Sequence, residues 1–432
     1  MLGKNKILIV SNNPLSYTKN NGKTIASFIK DIPRNQVRQL YFSNEKPSYK
    51  GYSYFSISDK NIIDGYILKK KRGEEYNDDS CIHENSNQIN TQFPIKKNAF
   101  MRVLREILWH GHWQSPQLIK WLDEFSPDVV FFVAGDSGFA YKIVKFIIER
   151  YSSRLVTYIT DDYIIPSPYD SVVEKKRKNY IRKNMLECIN LSSTYLTISE
   201  EMQNVYEKIS GKKSSLIMNI TPSLRIEDGE VKEDKNYINF IYAGSLYYNR
   251  DKTLGYIADA VSRYNSTILN DEKPIRIKVY SNTKPDEKTK ETFERDDVCK
   301  FYGSLNYEKL KEEFNKADVL LFVESFDNDM IDKIKYSLST KVPEYMSVGK
   351  PIFAVGPDET GSIEYLKDIA FFATNEQDIY SVLFRMMSSP KMMEEKGYSS
   401  LEKYNSLHNE EKQRQMITEI LLKNDRGKDE FI

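Results

Sequence analysis

Apolar residues come along this chain in short runs bounded by polar and turn-forming residues. Residues 6–10 (KILIV) read as a buried strand, broken by Ser11, Asn12 and Pro14. A polar loop with Asn20, Asn21 and Gly22 follows, and residues 23–30 are expected to be helical. Further runs at 37–42 (VRQLYF), 52–58 (YSYFSIS), 127–136 (PDVVFFVAGD), 153–163 (SRLVTYITDDY) and 194–199 (TYLTIS) continue the series, with helical segments between the later ones. Strands alternating with helices predict an open, mostly parallel sheet. Residues 69–99 break the pattern: they are polar, charged and nearly free of aliphatics, so a flexible insertion is expected there.

A second series starts after the polar stretch 221–236, which reads as the linker between two domains. Its strands are expected at 237–244 (YINFIYAG), 275–281 (IRIKVYS), 298–303 (VCKFYG), 318–324 (DVLLFVE) and 351–356 (PIFAVG). The expected fold class is therefore α/β, with two doubly wound Rossmann-like domains, residues 1–220 and 237–400. Residues 401–432 would supply a terminal helix crossing back to the first domain. Two such domains facing one another would form a cleft at their strand C-terminal ends, where such sheets bind ligands.

The length, 432 residues, agrees with two domains of roughly 200 residues each. Formal charge is almost balanced at +1, so nothing asks for nucleic acid. Cys81, Cys188 and Cys299 are odd in number and far apart, with no zinc spacing and no disulfide framework. They point to a reducing cytoplasm. The first apolar stretch is too short for a signal-peptide core, and no run approaches the ~18 residues of a membrane span.

Chemistry concentrates in SLSTKVPEYMSVGKPIFAVGP, residues 337–357. Pro343 suits the first turn of a helix, Ser339 and Thr340 are candidate caps, Gly349 ends the helix and Pro351 opens the next strand. A helix N-terminus at a sheet edge suits a diphosphate. Glu344, one turn in, is placed to accept hydrogen bonds from a vicinal hydroxyl pair. Its bland alternative is a first-turn carboxylate favoured by the helix dipole.

The segment STKVPEYMSVGKP resembles the donor-binding signature of GT-B-fold retaining glycosyltransferases of the GT4-like superfamily, of the bacterial polysaccharide and glycoconjugate type. FIYAGSLYYNRDKTL (240–254) is similar to that family's first strand and phosphate loop of the donor domain, and residues 302–325 to its base-side loop, helix and strand. The resemblance implies sugar transfer from a UDP- or GDP-linked donor to a glycan, lipid-linked or protein-linked acceptor, with retention and without a metal. No cofactor is implied beyond that donor, which is a substrate. The resemblance assigns Arg250, with Lys252 or Lys341, to the charge that builds on the leaving β-phosphate. It places Gly244, Ser281, Tyr302, Lys341, Pro343 and Glu344 around the donor, with Glu344 on the ribose. Acceptor contact is expected from the first domain, with Asp161 the leading residue. The family's paired glutamate, eight positions before Glu344, is replaced by Tyr336. A non-catalytic GT-B subunit supporting a partner transferase, or a sugar-nucleotide epimerase, therefore stand as rivals.

Other signals carry less. Asp161 and Asp162 could be read as a metal pair, but adjacent carboxylates after a strand more often cap a turn. His110 and His112 have no ligand at metal spacing. The segment holding Trp109, Trp113 and Trp121 reads as core, with peripheral docking on the inner face of the cell membrane as the alternative. Gly22-Lys23-Thr24 lacks the first glycine of a phosphate loop, since position 17 is tyrosine.

Overall fold

The computed structural model describes residues 5–17, 20–67, 72–77, 99–218, 220–226, 234, 236–269, 272–295 and 297–423. They fall into two compact units: those within Met1–Glu84, Lys96–Met218 and Glu410–Ile432, and those within Asn219–Asn409.

In the first unit, strands β1 (Ile7–Ser11), β2 (Val37–Tyr41), β3 (Ser53–Ser56), β4 (Glu74–Tyr76), β5 (Val129–Ala134), β6 (Arg154–Ile159), β7 (Ser192–Thr197) and β8 (Ser215–Leu216) form one sheet. Its order is β4-β3-β2-β1-β5-β6-β7-β8, and only the β3–β4 pair is antiparallel. β1 and β5 are buried along their whole length. That is why they read as unbroken apolar runs instead of alternating ones: helices cover both faces of a parallel sheet. Helix Pro116–Phe125 shows the local logic. Ser115 caps it by accepting the Leu118 N–H at 3.2 Å, and proline opens it. Leu118, Trp121, Leu122 and Phe125 form its buried stripe, and left-handed Ser126 ends it.

β4 corrects the expectation of a flexible insertion over 69–99. Glu74–Tyr76 pairs with β3 as an edge strand, with Tyr54 opposite Tyr76. The remainder of that stretch lies largely outside the described residues. Trp109, Trp113 and Trp121 are all buried, at 0%, 6% and 2% exposure, which settles these side chains as core. Trp109 and Trp121 satisfy their indole N–H groups on Asp59 and Ser53, at 2.7 and 3.0 Å.

In the second unit, β9 (Ile238–Ala243), β10 (Ile275–Tyr280), β11 (Glu294–Arg295), β12 (Cys299–Gly303), β13 (Val319–Val323), β14 (Ile352–Val355) and β15 (Phe371–Ala373) form a sheet ordered β11-β12-β10-β9-β13-β14-β15. Only β11–β12 is antiparallel. Alternate residues of β9 serve opposite faces, as a strand requires. Phe240 and Tyr242 join a core with Leu254, Ile257 and Leu383; Ile241 and Ala243 join another with Phe314, Tyr345 and Met346. The strand order reverses between β9 and β13, so the C-terminal ends of these two strands flank a switch point.

The first part of the 221–236 stretch is not a free linker. Thr221 and Leu224 are buried. Leu224 N–H donates to Ser347 Oγ at 3.0 Å, Ile226 N–H to Asn315 Oδ1 at 3.0 Å, and Tyr404 Oη to the Thr221 carbonyl at 2.7 Å. Residues 227–233 lie outside the described residues. At the other end, helix Pro390–Leu407 belongs to the second unit, and helix Glu410–Leu422 to the first. There Arg414 pairs with Asp31 at 2.9 Å, and Arg154 Nη2 donates to the Ile420 and Leu421 carbonyls.

Candidate functional site

The chain leaving β9 makes a tight passage into helix Arg250–Asn265. Tyr248 and Asn249 both have left-handed backbones, at φ 63° and 57°. Two consecutive non-glycine residues in that region store strain. They turn the chain so that Arg250 opens the helix, whose N-terminus has no side-chain cap.

Arg250 is not a solvated loop cation. Its Nε donates to Glu324 Oε2 at 2.9 Å, and its Nη2 meets the same oxygen at 2.7 Å. Glu324 follows β13 and is 2% exposed. Burial pushes its carboxyl pKa up, and the guanidinium opposes that shift. Burial in turn works against the Arg250 charge, but Glu324 and its phenolic neighbours outweigh it, so the guanidinium is held charged. Position 356 must stay small for this pair to fit: a Cβ on Gly356 would stand 2.8 Å from Glu324 Cβ.

The other two cations also have carboxylate partners. Lys341 Nζ meets Glu344 Oε2 at 2.6 Å, and the more exposed Lys252 lies 3.6 Å from Asp327. Asn249 Nδ2 donates to the other oxygen of Asp327. The switch point thus presents Arg250, Lys252 and Lys341, each beside an acid.

Glu344, 7% exposed, sits with Pro343 on helix Lys341–Met346. This helix is fastened to β9 by Tyr345, whose hydroxyl accepts the Ala243 N–H at 2.9 Å and donates to the Ala243 carbonyl at 3.2 Å. Gly244 is the next residue, and its N–H donates to the Tyr280 carbonyl at 3.1 Å. Ser281 continues the neighbouring strand end, with its N–H on the Gly303 carbonyl at 2.9 Å and its hydroxyl 2.8 Å from Thr283 Oγ1. Tyr302, 42% exposed, leans on Tyr280 with ring centroids 5.5 Å apart. The residues expected around a donor therefore line the C-terminal ends of β9, β10, β12 and β13 and the helix before β14.

Asp161 belongs to the first unit, after β6, where it accepts from Tyr163 Oη at 3.1 Å. Its neighbour Asp162 caps a turn, accepting from Tyr206 Oη at 2.8 Å and from the N–H groups of Ile164 and Ile165. Burial raises the Asp162 pKa, and these donors oppose it. Among the described residues no group of three or more His, Cys, Asp or Glu side chains could hold a metal ion.

Sequence reading missed three polar residues that build the strand ends. Glu324 was legible only as the last residue of an apolar run; its partner lies 74 positions away. Gln39, buried in β2, holds the loop after β1 by accepting the Leu15 N–H at 2.9 Å and donating to Ser11 Oγ at 2.8 Å. Glu106 accepts the N–H groups of Gly138 and Phe139 at 2.6 and 2.9 Å, closing the N-terminus of helix Gly138–Tyr151.

No protein-family model and no curated protein matches the chain. Solved structures do. An α,α-trehalose-phosphate synthase (UDP-forming) from Burkholderia vietnamiensis aligns with a TM-score of 0.62 at 11% identity, over 96% of this chain and 97% of its own. A trehalose-6-phosphate protein from E. coli, bound with UDP-2-fluoro glucose, aligns with a TM-score of 0.62 at 12% identity, over 97% and 99%. HepE of Anabaena, in complex with UDP-glucose, aligns with a TM-score of 0.56 at 10% identity, over 96% and 99%. The likeness establishes the fold: two parallel-dominated α/β units of the GT-B kind.

Proposed function

We propose that this chain is a glycosyltransferase. It moves a sugar from a UDP- or GDP-linked donor to a glycan, lipid-linked or protein-linked acceptor, with retention and without a metal. The observation that carries the reading is the fastening of the Glu344 helix to β9 through Tyr345, beside the strand end that leads to Arg250. Both groups of the expected donor site thereby serve one switch point. The bound UDP-sugars of two proteins of like fold support the same reading.

In this account Glu344 accepts from the ribose hydroxyls, Tyr302 and Ser281 lie towards the base, and Gly244 lets the backbone approach the diphosphate. Arg250, Lys252 and Lys341 oppose the negative charge that grows on the β-phosphate as the anomeric C–O bond breaks. The acceptor oxygen forms the new bond, and its proton passes to the departing phosphate. Asp161 contacts the acceptor. The buried free thiols of Cys188 and Cys299 fit a reducing cytoplasm.

A second reading has its own observation. Glu324 already holds two donors of Arg250, and Tyr336 stands where the resembled family carries glutamate. A non-catalytic subunit for a partner transferase would tolerate both. The test is release of nucleoside diphosphate from UDP- and GDP-hexoses in the presence of an acceptor extract. The enzyme reading expects release with one donor class, lowered about 100- to 1000-fold in Arg250→Met. Release by neither class, with nucleotide binding intact, would favour the subunit.

A further inference from the structure

The cations expected to meet a diphosphate are each met first by an acid of this chain. Arg250 pairs with Glu324, Lys252 with Asp327 and Lys341 with Glu344. In the proposed reading Glu344 meets the ribose, while Glu324 and Asp327 have no part. A buried ion pair contributes little net stability, because desolvation offsets the attraction, so a pair as deep as Arg250 and Glu324 asks for another role.

Glu324 is fixed from its backbone outward. Its N–H donates to the Val355 carbonyl at 2.8 Å, and a Cβ on Gly356 would stand 3.4 Å from its Cα, so the ends of β13 and β14 approach backbone to backbone. From that anchor its buried side chain takes Arg250 by two donors, Nε and Nη2, on one oxygen. A guanidinium is a rigid fork of five N–H donors. Clamping one edge fixes its plane, and the Nη1 group is not used by Glu324. Asp327 does the lesser part. Its N–H donates to Ser325 Oγ at 3.1 Å, and its two oxygens meet Asn249 and Lys252. The loop after β13 is thereby tied to the left-handed turn that opens helix Arg250–Asn265.

We propose that Glu324, with Asp327 in the lesser part, is a positioning residue that aims Arg250 and whose negative charge limits how tightly the second unit holds a nucleoside diphosphate. The inference rests on the sugar-transfer reading. As the anomeric C–O bond breaks, the departing diphosphate takes the acceptor's proton. It loses that proton to water above about pH 6, and then carries one negative charge more than the donor did. A fixed carboxylate beside Arg250 repels that product more than it repels the donor. Without Glu324 the arginine would hold the product longer, and turnover would wait on its release. The same charge takes something from the stabilisation of the breaking bond. The clamp offsets this by holding the guanidinium in place, with no reorganisation at the moment of reaction.

The test is calorimetric titration of UDP, GDP, UDP-glucose and GDP-glucose into wild type, Glu324→Gln, Glu324→Asp and Asp327→Asn. It is run at about pH 8, where the free diphosphate carries its extra charge. Glu324→Gln keeps the shape and an acceptor for Arg250. It should lose stability yet bind the nucleoside diphosphate at least about ten-fold tighter, with a smaller gain for the sugar ester. Glu324→Asp keeps the charge and should show no gain. Asp327→Asn, at a more exposed position, should gain about three-fold. A merely structural role predicts the opposite sign, because a loosened Arg250 holds an anion less well. Equal or weaker diphosphate binding by folded Glu324→Gln would overturn the inference and leave the donor site standing. Should that variant not fold, absence of a gain in Asp327→Asn would overturn it instead. A wild type that binds neither diphosphate would overturn this inference and the sugar-transfer reading together.

Discussion

The two sheets share a plan, with a strand order that reverses between β1 and β5 in one and between β9 and β13 in the other. Their strand ends differ in chemistry. After β5, the chain's own Glu106 fills the N-terminus of helix Gly138–Tyr151, so an incoming anion would have to displace a carboxylate. After β9, helix Arg250–Asn265 opens without a side-chain cap, on an arginine. One helix N-terminus is thus filled by the chain's own carboxylate, and the other opens on an arginine paired with Glu324. The proposed reading assigns the anionic donor to the second unit, a distinction that fold alone would not make.

The acids of the second unit sharpen this contrast. If Glu324 holds the Arg250 charge in place, removing its charge should cost more than removing the Glu106 cap. Glu324→Gln leaves a guanidinium in low dielectric with a neutral acceptor, and a loss of about 3 kcal/mol is expected in chemical denaturation. Unchanged stability would mean that the guanidinium reaches water or another acid. The reverse deletion should behave differently, because a carboxyl can take up a proton. In Arg250→Met, Glu324 keeps its burial and loses the partner that opposed it, so its folded pKa stands further above the unfolded value. The folded state then binds a proton that the unfolded state has released, and stability rises as pH falls through the folded value. The gap in melting temperature between Arg250→Met and wild type should shrink from about pH 8 to about pH 5. A constant gap would contradict a buried ionised Glu324.

Glu106→Ala should cost about 1–2 kcal/mol, as loss of a doubly bonded helix cap does, with no change in nucleotide affinity. A fall in UDP affinity in that variant would break the division between the units. Lys252→Ala should do least. Its side chain is 53% exposed and 3.6 Å from Asp327, so screening limits it to about a three-fold change in affinity.

What could be read from the sequence follows from how each element is stabilised. β1, β5, β9 and β13 are central strands buried on both faces, and their apolar runs announce them. Edge strands such as Ser215–Leu216, Glu294–Arg295 and Phe371–Ala373 have one neighbour and two or three residues, so local pattern carries no such signal. Lys341, Pro343 and Glu344 were legible because they lie within one turn of one another, and their ion pair is local. Arg250 was legible as a position, but its partner Glu324 is set by sheet order, which a local pattern does not encode. Helix Ala99–Trp109 makes the clearest case. Periodicity says which residues share a face; it does not say which face is buried. Trp109 packs into the core, and Phe100, Leu104 and Ile107 meet solvent.

The most direct test of the central claim is calorimetric titration of UDP, GDP, ADP and CMP into wild type and Glu344→Ala, without metal. The account predicts that wild type binds either UDP or GDP selectively, and that the variant loses about 10- to 100-fold in affinity for it, as deletion of a charged hydrogen-bond acceptor should. Absence of binding at about millimolar concentration, or equal binding by the variant, would contradict a donor site built on Glu344.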